Sequence, residues 1–326
     1  MEPSFTAPTV PYGAADIFPK DTESFAAGIW SIWKDVSGYL APNFSAALSV
    51  CVSVLAVVLL ISAVNCLEEH PASGLIGTAA VAVLLLQPAG TLMELGEATI
   101  MELHEYCKLL IPVMTTALAA QGAAGTSAAL YAGTAMLNSV LSGLLSGVLT
   151  SAVCAYLAVS AAASATGLYP LRKTADFIRQ ISQWFLKATL YVFTGFMGLT
   201  GVISGSVDAA ALKVTKFAVS GAVPVVGGIL SDATESVLAG IGIMKNAAGI
   251  YGMLAVVAIA IRPFLRIGIQ YLLLKITAGL AGIFTEGGAA KMIEAFSTAF
   301  GWILGMTGTV CLLFLISIVC FLKGVG

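Results

Sequence analysis

Long uncharged stretches alternate with short charged segments along most of the chain. Crossing the hydrocarbon core of a bilayer takes about 20 predominantly apolar residues in a helix. Residues 36–67 and 71–93 contain no Asp, Glu, Lys, Arg or His, and each is long enough for one crossing. The same pattern predicts later spans at 188–206, 247–261, 267–284 and 299–322.

The uncharged stretch at 109–171 is too long for a single crossing. At about 1.5 Å per helical residue it exceeds the roughly 30 Å of hydrocarbon about threefold. It must therefore fold back at least once, and the small-residue clusters QGAAGTSAA and SAAASATG are the expected turns. The sequence leaves open whether this stretch holds one span with a re-entrant pair or three short helices.

Two segments carry a polar and an apolar face at helical spacing. In residues 25–40 the apolar face includes Trp30 and Trp33, which suit a membrane interface. This helix is predicted to lie on the membrane or on a partner, or equally to pack on its own protein. Residues 171–187 predict a basic amphipathic helix at a cytoplasmic membrane surface. Its candidate docking residues for a cytoplasmic partner are Arg172, Lys173, Arg179 and Lys187.

Another segment, at 213–245, is apolar but interrupted by helix-breaking residues. Broken backbone at membrane depth is tolerated only where it is buried in protein or lines a wet cavity. Each charge near the bilayer centre costs about 2.5 to 3.5 kcal/mol, so the flanking charges must pair, face a cavity or lie at the interface. The segment is predicted to be a conduit or gate element, or a structural re-entrant hairpin with interfacial charges. The candidate residues are Asp208, Lys213, Lys216, Gly221, Pro224, Gly227, Gly228, Asp232, Glu235 and Lys245.

Glycines one helical turn apart predict close helix packing, because small residues let membrane helices approach each other. In a chain with 34 glycines, nothing more specific is inferred from such pairs. The pairs are Gly143 with Gly147, Gly201 with Gly205, and Gly301 with Gly305.

Composition agrees with a membrane protein. The chain has 326 residues, of which 59% are hydrophobic and 10% charged, whereas a soluble domain carries about a quarter charged residues. The net charge of −2 provides no basic footprint for nucleic acid. The sequence contains no Walker A, HExxH or GxSxG motif, so no catalytic residue, metal site or cofactor is predicted. The cluster ELHEYC at 102–107 is interpreted as part of a polar connector between spans.

These features together predict an all-α, polytopic integral membrane protein with about seven to nine membrane segments, including a re-entrant or broken helix. Residues 1–43 are predicted to form an extracytoplasmic or interfacial segment, and residues 44–326 a single membrane domain. Because Lys and Arg favour the cytoplasmic side, the basic helix is expected inside and the acidic connector at 94–105 outside. The N-terminus is then expected outside, with Arg262, Arg266 and the C-terminus in the cytoplasm.

The region around the broken segment resembles the stage III sporulation protein AE family. The similarity extends roughly from residue 40 to the C-terminus and includes the basic helix LRKTADFIRQISQWFLKA and Arg262-Pro263. Family members commonly begin with a cleavable signal peptide, and residues 1–43 depart from that pattern because they contain no long apolar run. The matching residues are Gly198, Val202, Gly205, Lys216, Phe217, Pro224-Val225-Val226-Gly227, Ser231-Asp232-Ala233, Lys245-Asn246 and Gly249.

The resemblance implies a multi-pass protein of the mother-cell membrane that surrounds the forespore. Family members work with a cytoplasmic ATPase, small membrane subunits and ring-forming proteins of the intermembrane space, and together these form a channel or feeding apparatus. The expected function is therefore a non-enzymatic scaffold or conduit subunit of that complex, in contact with membrane lipid and without nucleic acid. The alternative is a stand-alone secondary transporter or channel that binds a small solute at the broken helix. Such transporters often carry paired discontinuous helices, and only one candidate segment is found here.

Overall fold

The computed structural model describes residues 10–18, 25–67, 73–120, 124–199, 247–285 and 287–323. Within these ranges the chain is helical apart from short connections, which confirms the all-α class. The helices are α1 (Tyr12–Ala15), α2 (Phe25–Leu67), α3 (Ser73–Ala120), α4 (Ala124–Leu144), α5 (Thr150–Thr166), α6 (Tyr169–Leu199), α7 (Ala247–Phe284) and α8 (Gly288–Lys323), with a π-helical turn at Leu145–Leu149 between α4 and α5.

Four of the described helices, α2, α3, α7 and α8, are long and apolar enough to cross a membrane. The predicted count of seven to nine segments is not confirmed by these helices, and the predicted re-entrant segment at 213–245 lies outside the described residues. The predicted division at residue 43 falls inside α2 and stays a prediction.

Two predicted boundaries are wrong because charged residues occupy the exposed face of a continuous helix. The acidic connector at 94–105 is part of α3, which has 48 residues and is about 72 Å long. There Leu103 and Tyr106 are buried on one face, while the carboxylates of Glu102 and Glu105 are exposed on the other. Similarly, the predicted spans at 247–261 and 267–284 are one helix, α7, which contains Pro263.

The uncharged stretch at 109–171 folds back as predicted. Helix α3 ends at Ala120, and the run from α4 through the π-helical turn to α5 then packs back along α3. A second turn follows α5 at Gly167, whose φ of 70° lies in the left-handed region that glycine adopts without a steric penalty. The two small-residue clusters therefore mark both turns.

Helix α8 lies at the centre of the bundle. It packs against α3, α4, α5, α6 and α7, and 94% of its most apolar stretch is buried. It runs antiparallel to α7, since Leu304 contacts Gly268 whereas Tyr271 contacts Gly301. It runs parallel to α3, because Ile303 lies beside Gly96 and Phe314 lies beside His104.

The N-terminal half of α2 buries only part of the apolar face predicted from its sequence. Ile32 and Val36 are buried, and the neighbouring Gly28 lies against Leu254 of α7. Trp30 and Trp33 are 71% and 46% exposed. Of the alternatives left open, packing on its own protein therefore holds for one face of this helix, and the tryptophans lie on the other.

The segment before α2 is joined to α7 by a bidentate ion pair. Arg262 donates two hydrogen bonds to the carboxylate of Asp16, with N···O distances of 3.1 and 2.8 Å, and its guanidinium lies over the ring of Tyr39. The hydrogen bonds from Arg262 lower the pKa of the Asp16 carboxyl. Asp16 and Arg262 therefore lie beside each other in the bundle. The predicted orientation of the N-terminal segment and of Arg262 across the membrane stays a prediction.

Candidate functional site

A charged groove lies where the first half of α6 meets the end of α5 and the beginning of α8. The cavity has a volume of about 480 Å³. On α6 its residues recur at positions i, i+4 and i+7, which place them on one face of the helix. Two further residues one turn apart come from α8. The charged lining residues, which define the charged groove, are Arg172, Asp176, Arg179, Lys291 and Glu294.

The cations of the charged groove are not neutralised by direct ion pairs. Within the described ranges, Arg172, Arg179 and Lys291 form no ion pair shorter than 4.0 Å with a carboxylate. Three cations against two carboxylates leave the groove with an excess positive charge. Gly288, the first residue of the 36-residue helix α8, also lines the groove. The N-terminus of this helix carries a partial positive charge, which adds to the positive potential.

Polar side chains line the bottom of the charged groove, and aromatic rings pack beneath them. Ser160 and Tyr156 of α5 line the cavity and are nearly buried. The ring of Tyr156 packs against Trp302 of α8 with 4.7 Å between ring centroids, and Trp302 is only 1% exposed. The packed rings of Tyr156 and Trp302, between α5 and α8, therefore form the bottom of the groove.

The four predicted docking residues divide between two faces of α6. Arg172 and Arg179 line the charged groove. Lys173 and Lys187 are exposed on the neighbouring face, about 90° around the helix from the groove residues. There the ammonium of Lys173 lies 5.5 Å from the ring centroid of Tyr169. We call this neighbouring face the outer stripe of α6. It consists of Tyr169, Lys173, Phe177, Gln180, Trp184, Lys187 and Tyr191, all of them exposed.

The predicted helix-packing glycines behave differently from one another. Gly301 lies against the ring of Tyr271, and a Cβ atom there would be 3.0 Å from it. Gly305 is buried in α8. Gly143 and Gly147 are exposed, and an added Cβ atom would meet nothing within 4 Å, so packing at this pair stays a prediction.

The candidate residues of the broken segment lie outside the described residues, together with Gly201 and Gly205. Their predicted role therefore stays a prediction. The residues concerned are Asp208, Lys213, Lys216, Gly221, Pro224, Gly227, Gly228, Asp232, Glu235 and Lys245.

The polar cluster at 102–107 does not form a metal centre in the part of the chain that the structure describes. No group of three or more His, Cys, Asp and Glu side chains is placed to hold a metal ion there. Glu105 instead pairs with Lys108 at 2.9 Å, and Cys107 is buried in the helix bundle. These residues stabilise α3 as a helix with one charged and one apolar face.

Sequence reasoning missed Lys291 and Glu294, which complete the charged groove. Two charges one turn apart at the start of an apolar helix are typical of a span end, so they gave no sign of a shared site. Their local pattern therefore contained no signal that pairs the beginning of α8 with α6.

The fold and the groove define a class, an all-α membrane protein with several long apolar helices and a charged face on one side. Comparisons with known proteins name the family. The family model described as Stage III sporulation protein AE matches residues 20–324, and the chain belongs to that family.

The chain is also similar to a curated protein of the same family. Stage III sporulation protein AE of Bacillus subtilis (strain 168) is 22% identical over 236 residues, which are 72% of this chain and 59% of the relative. The match thus spans less than two thirds of that protein. None of the solved structures matches the chain.

Proposed function

We propose that this protein is a non-enzymatic membrane subunit, a scaffold or conduit, of a sporulation channel or secretion complex that links the mother cell and the forespore. Its expected location is the mother-cell membrane around the forespore. Its expected partners are an ATPase, small membrane subunits and ring-forming subunits. Membership of a sporulation family supports the biological setting. The distribution of charge around the bundle supports a role within a larger assembly.

The observation that carries this proposal is a difference between two sides of the bundle at the same depth. On α8, the segment from Lys291 to Trp302 rises about 16 Å. On one side of it lie Arg172, Asp176 and Arg179 of α6. On the other side α2, α3 and α7 expose apolar side chains, with Lys275 among them. These exposed apolar residues include Val52, Leu60, Ile76, Val83, Leu86, Leu272, Ile276 and Ile283.

Hydrocarbon is a suitable environment for only one of the two sides. The outer faces of α2, α3 and α7 match a hydrocarbon environment, because their exposed residues are mostly large and apolar. The charged side of α6 lies at the end of the bundle and must face water, lipid headgroups or protein, because a charge placed in hydrocarbon costs about 2.5 to 3.5 kcal/mol. In a larger assembly, a neighbouring subunit or an aqueous passage between subunits would face this charged side.

The outer stripe of α6 has the composition of a protein contact. Its exposed aromatic side chains, among them Phe177 and Trp184, lie between Lys173 and Lys187. Aromatic residues dominate the energetically important centres of protein interfaces, and charged residues surround them. We therefore assign the outer stripe to subunit contact and the lipid boundary to α2, α3 and α7.

Purification of the tagged chain from sporulating cells in mild detergent tests the proposal. The native mass and the identity of the retained proteins are measured for the wild type and for the Trp184→Ala variant. Trp30→Ala is the matched control, since Trp184 and Trp30 are 68% and 71% exposed on different helices. We expect a large assembly from the wild type and the control, and loss of partners from Trp184→Ala.

Two outcomes contradict the proposal. If the wild type, Trp184→Ala and Trp30→Ala recover the partners equally, the outer stripe of α6 is not the subunit contact. Recovery of the wild-type chain alone, with solute uptake when it is reconstituted in liposomes, favours the stand-alone transporter instead.

A further inference from the structure

Two cavities of opposite character adjoin each other at one end of the bundle. The first is the charged groove, with a volume of about 480 Å³. The second is an apolar groove of about 530 Å³ between α3 and α5. Leu75 and Ala165 line both, so the two cavities lie side by side and share a wall. A single molecule with a charged part and an apolar part can therefore occupy both.

The apolar groove exists because small residues face each other across α3 and α5. We call it the alanine groove, and its walls include Ala79, Ala82, Ala161, Ala162 and Ala165. Alanine side chains are too short to fill the space between two helices, so a furrow remains open along them. From Leu75 to Ala82 this furrow extends about 10 Å along the helix axis. Its length runs from the end of the bundle toward the middle.

The charged groove lies at the end of the bundle, where a lipid headgroup would be. Gly74 is at the beginning of α3, Gly167 follows the end of α5, and Gly288 begins α8. The three cations around this end are not paired with carboxylates within 4.0 Å in the described ranges. Basic pockets between membrane helices are typical sites for anionic headgroups.

We propose that the two adjoining cavities form a binding site for one anionic phospholipid. The phosphate lies in the charged groove near Arg172, Arg179 and Lys291, and one acyl chain lies in the alanine groove. Lysine and arginine provide the charge, and the guanidinium of each arginine can bond two phosphate oxygens at once. The site extends the proposed function but does not depend on it, because it needs only this chain and a lipid.

The choice of a phospholipid rests on the shared boundary of the cavities. A free phosphate would use the charged groove and leave the alanine groove without a role. A lipid without net charge would use the alanine groove and leave the excess positive charge of the charged groove uncompensated. An anionic diacyl lipid matches both the charge and the order of the two cavities from the bundle end inward.

Native mass spectrometry of the purified chain in mixed micelles tests the site. The probes are phosphatidylglycerol and phosphatidylcholine with identical acyl chains, so the pair differs only in the headgroup. We expect the wild type to retain one phosphatidylglycerol in preference to phosphatidylcholine. The double variant Arg172→Gln, Lys291→Gln should lose phosphatidylglycerol affinity at least about tenfold. The control Lys34→Gln, Lys275→Gln removes two exposed cations elsewhere and should retain it.

A second pair of variants tests the acyl chain. Ala162→Trp places an indole in the alanine groove, whereas Ala155→Trp adds the same group to an exposed position of α5 that does not line the groove. We expect Ala162→Trp to reduce phosphatidylglycerol retention and Ala155→Trp to leave it unchanged. Thermal unfolding of each purified variant shows whether its fold is intact.

A measurement on the wild type keeps the proposal testable if a variant does not fold. A phosphatidylglycerol with a photoreactive group on its acyl chain should crosslink mainly to peptides containing residues 75–82 or 161–165. Crosslinks spread evenly over α2 and α7 would overturn the site. Equal retention by wild type and the Arg172→Gln, Lys291→Gln variant would also overturn it. Competition by inorganic phosphate, with Ala162→Trp inert, would show a small-anion site instead.

Discussion

Helices α2 and α8 are both long and apolar, yet they occupy different environments. In its most apolar stretch α2 has 22% of its residues buried, whereas α8 has 94%. The difference arises from their neighbours: α2 packs on α3 and α7, while α8 is surrounded by five helices. Hydropathy therefore identifies a membrane helix without telling whether its side chains contact lipid or protein.

The largest expected difference comes from the same substitution on the two helices. Leu313→Ala on α8 removes a fully buried side chain and should lower the free energy of unfolding by about 2 to 5 kcal/mol. Leu60→Ala on α2, where the side chain is 68% exposed, should change it by less than about 0.5 kcal/mol. Reversible unfolding in mixed micelles measures both values. Similar losses would show that α2 is as enclosed as α8.

A backbone contact at the beginning of α8 gives the next effect. A Cβ atom at Gly288 would collide with the carbonyl oxygen of Ser164 and with Thr78, and backbone cannot move aside as a side chain can. Gly288→Val should destabilise the bundle by about 1 to 3 kcal/mol. Gly279→Val on α7, where nothing lies within 4 Å, is the control and should have little effect. Equal thermal stability of the two variants would contradict this packing.

A buried hydrogen bond should contribute less. Ser317 of α8 accepts a hydrogen bond from the Asn138 amide of α4 at 3.0 Å, and both side chains are buried. Ser317→Ala should reduce stability by about 0.6 to 1.7 kcal/mol. Ser53→Ala on α2 removes only a bond to the carbonyl of its own helix at Ser49 and should cost less. The same unfolding assay compares them, and an equal cost would mean that the α4–α8 bond adds nothing.

The smallest effect concerns the ion pair that joins the segment before α2 to α7. Asp16 is 62% exposed, so Asp16→Asn should cost no more than about 1 kcal/mol at neutral pH. The pKa of Asp16 is lowered by Arg262, so the pair stabilises the folded state above the ordinary carboxyl pKa. That contribution is lost as pH falls through the lowered pKa.

Stability measured against pH tests the sign of this linkage. The difference between wild type and Asp16→Asn should be present at pH 7 and disappear at low pH. Asp35→Asn, which removes an exposed carboxylate of α2 outside this pair, is the control. A difference that grows on acidification would mean that the pair destabilises the fold.

The sequence was sufficient for the helical class and for the turns, but not for the helix lengths. Small residues around Gly167 indicated a turn because glycine accepts a left-handed backbone. The charges at 94–105 and at Arg262 were interpreted as helix boundaries. A continuous helix can carry such charges on its exposed face while its other face packs in the bundle. Whether a charge ends a helix depends on tertiary packing, which one sequence does not display.

Half of the charged groove could be found in the sequence. Arg172 and Arg179 stand out as one face of a basic amphipathic helix. Lys291 and Glu294 lie more than 100 residues away, and nothing in their local pattern identifies α6 as their neighbour. The alanine groove was equally hidden, because small residues at helical spacing predict a close helix contact rather than a furrow.

The central position of α8 has a consequence for biogenesis. Every other described helix is synthesised before it, so the bundle lacks its central helix while α2 to α7 leave the ribosome. Asp16 can form its ion pair only after Arg262, which lies 246 residues later in the chain, has been synthesised. During that interval the early helices rely on lipid, on their immediate neighbours or on insertion factors. Translation that stops before α8 should therefore leave inserted but loosely assembled helices, which quality-control proteases can remove.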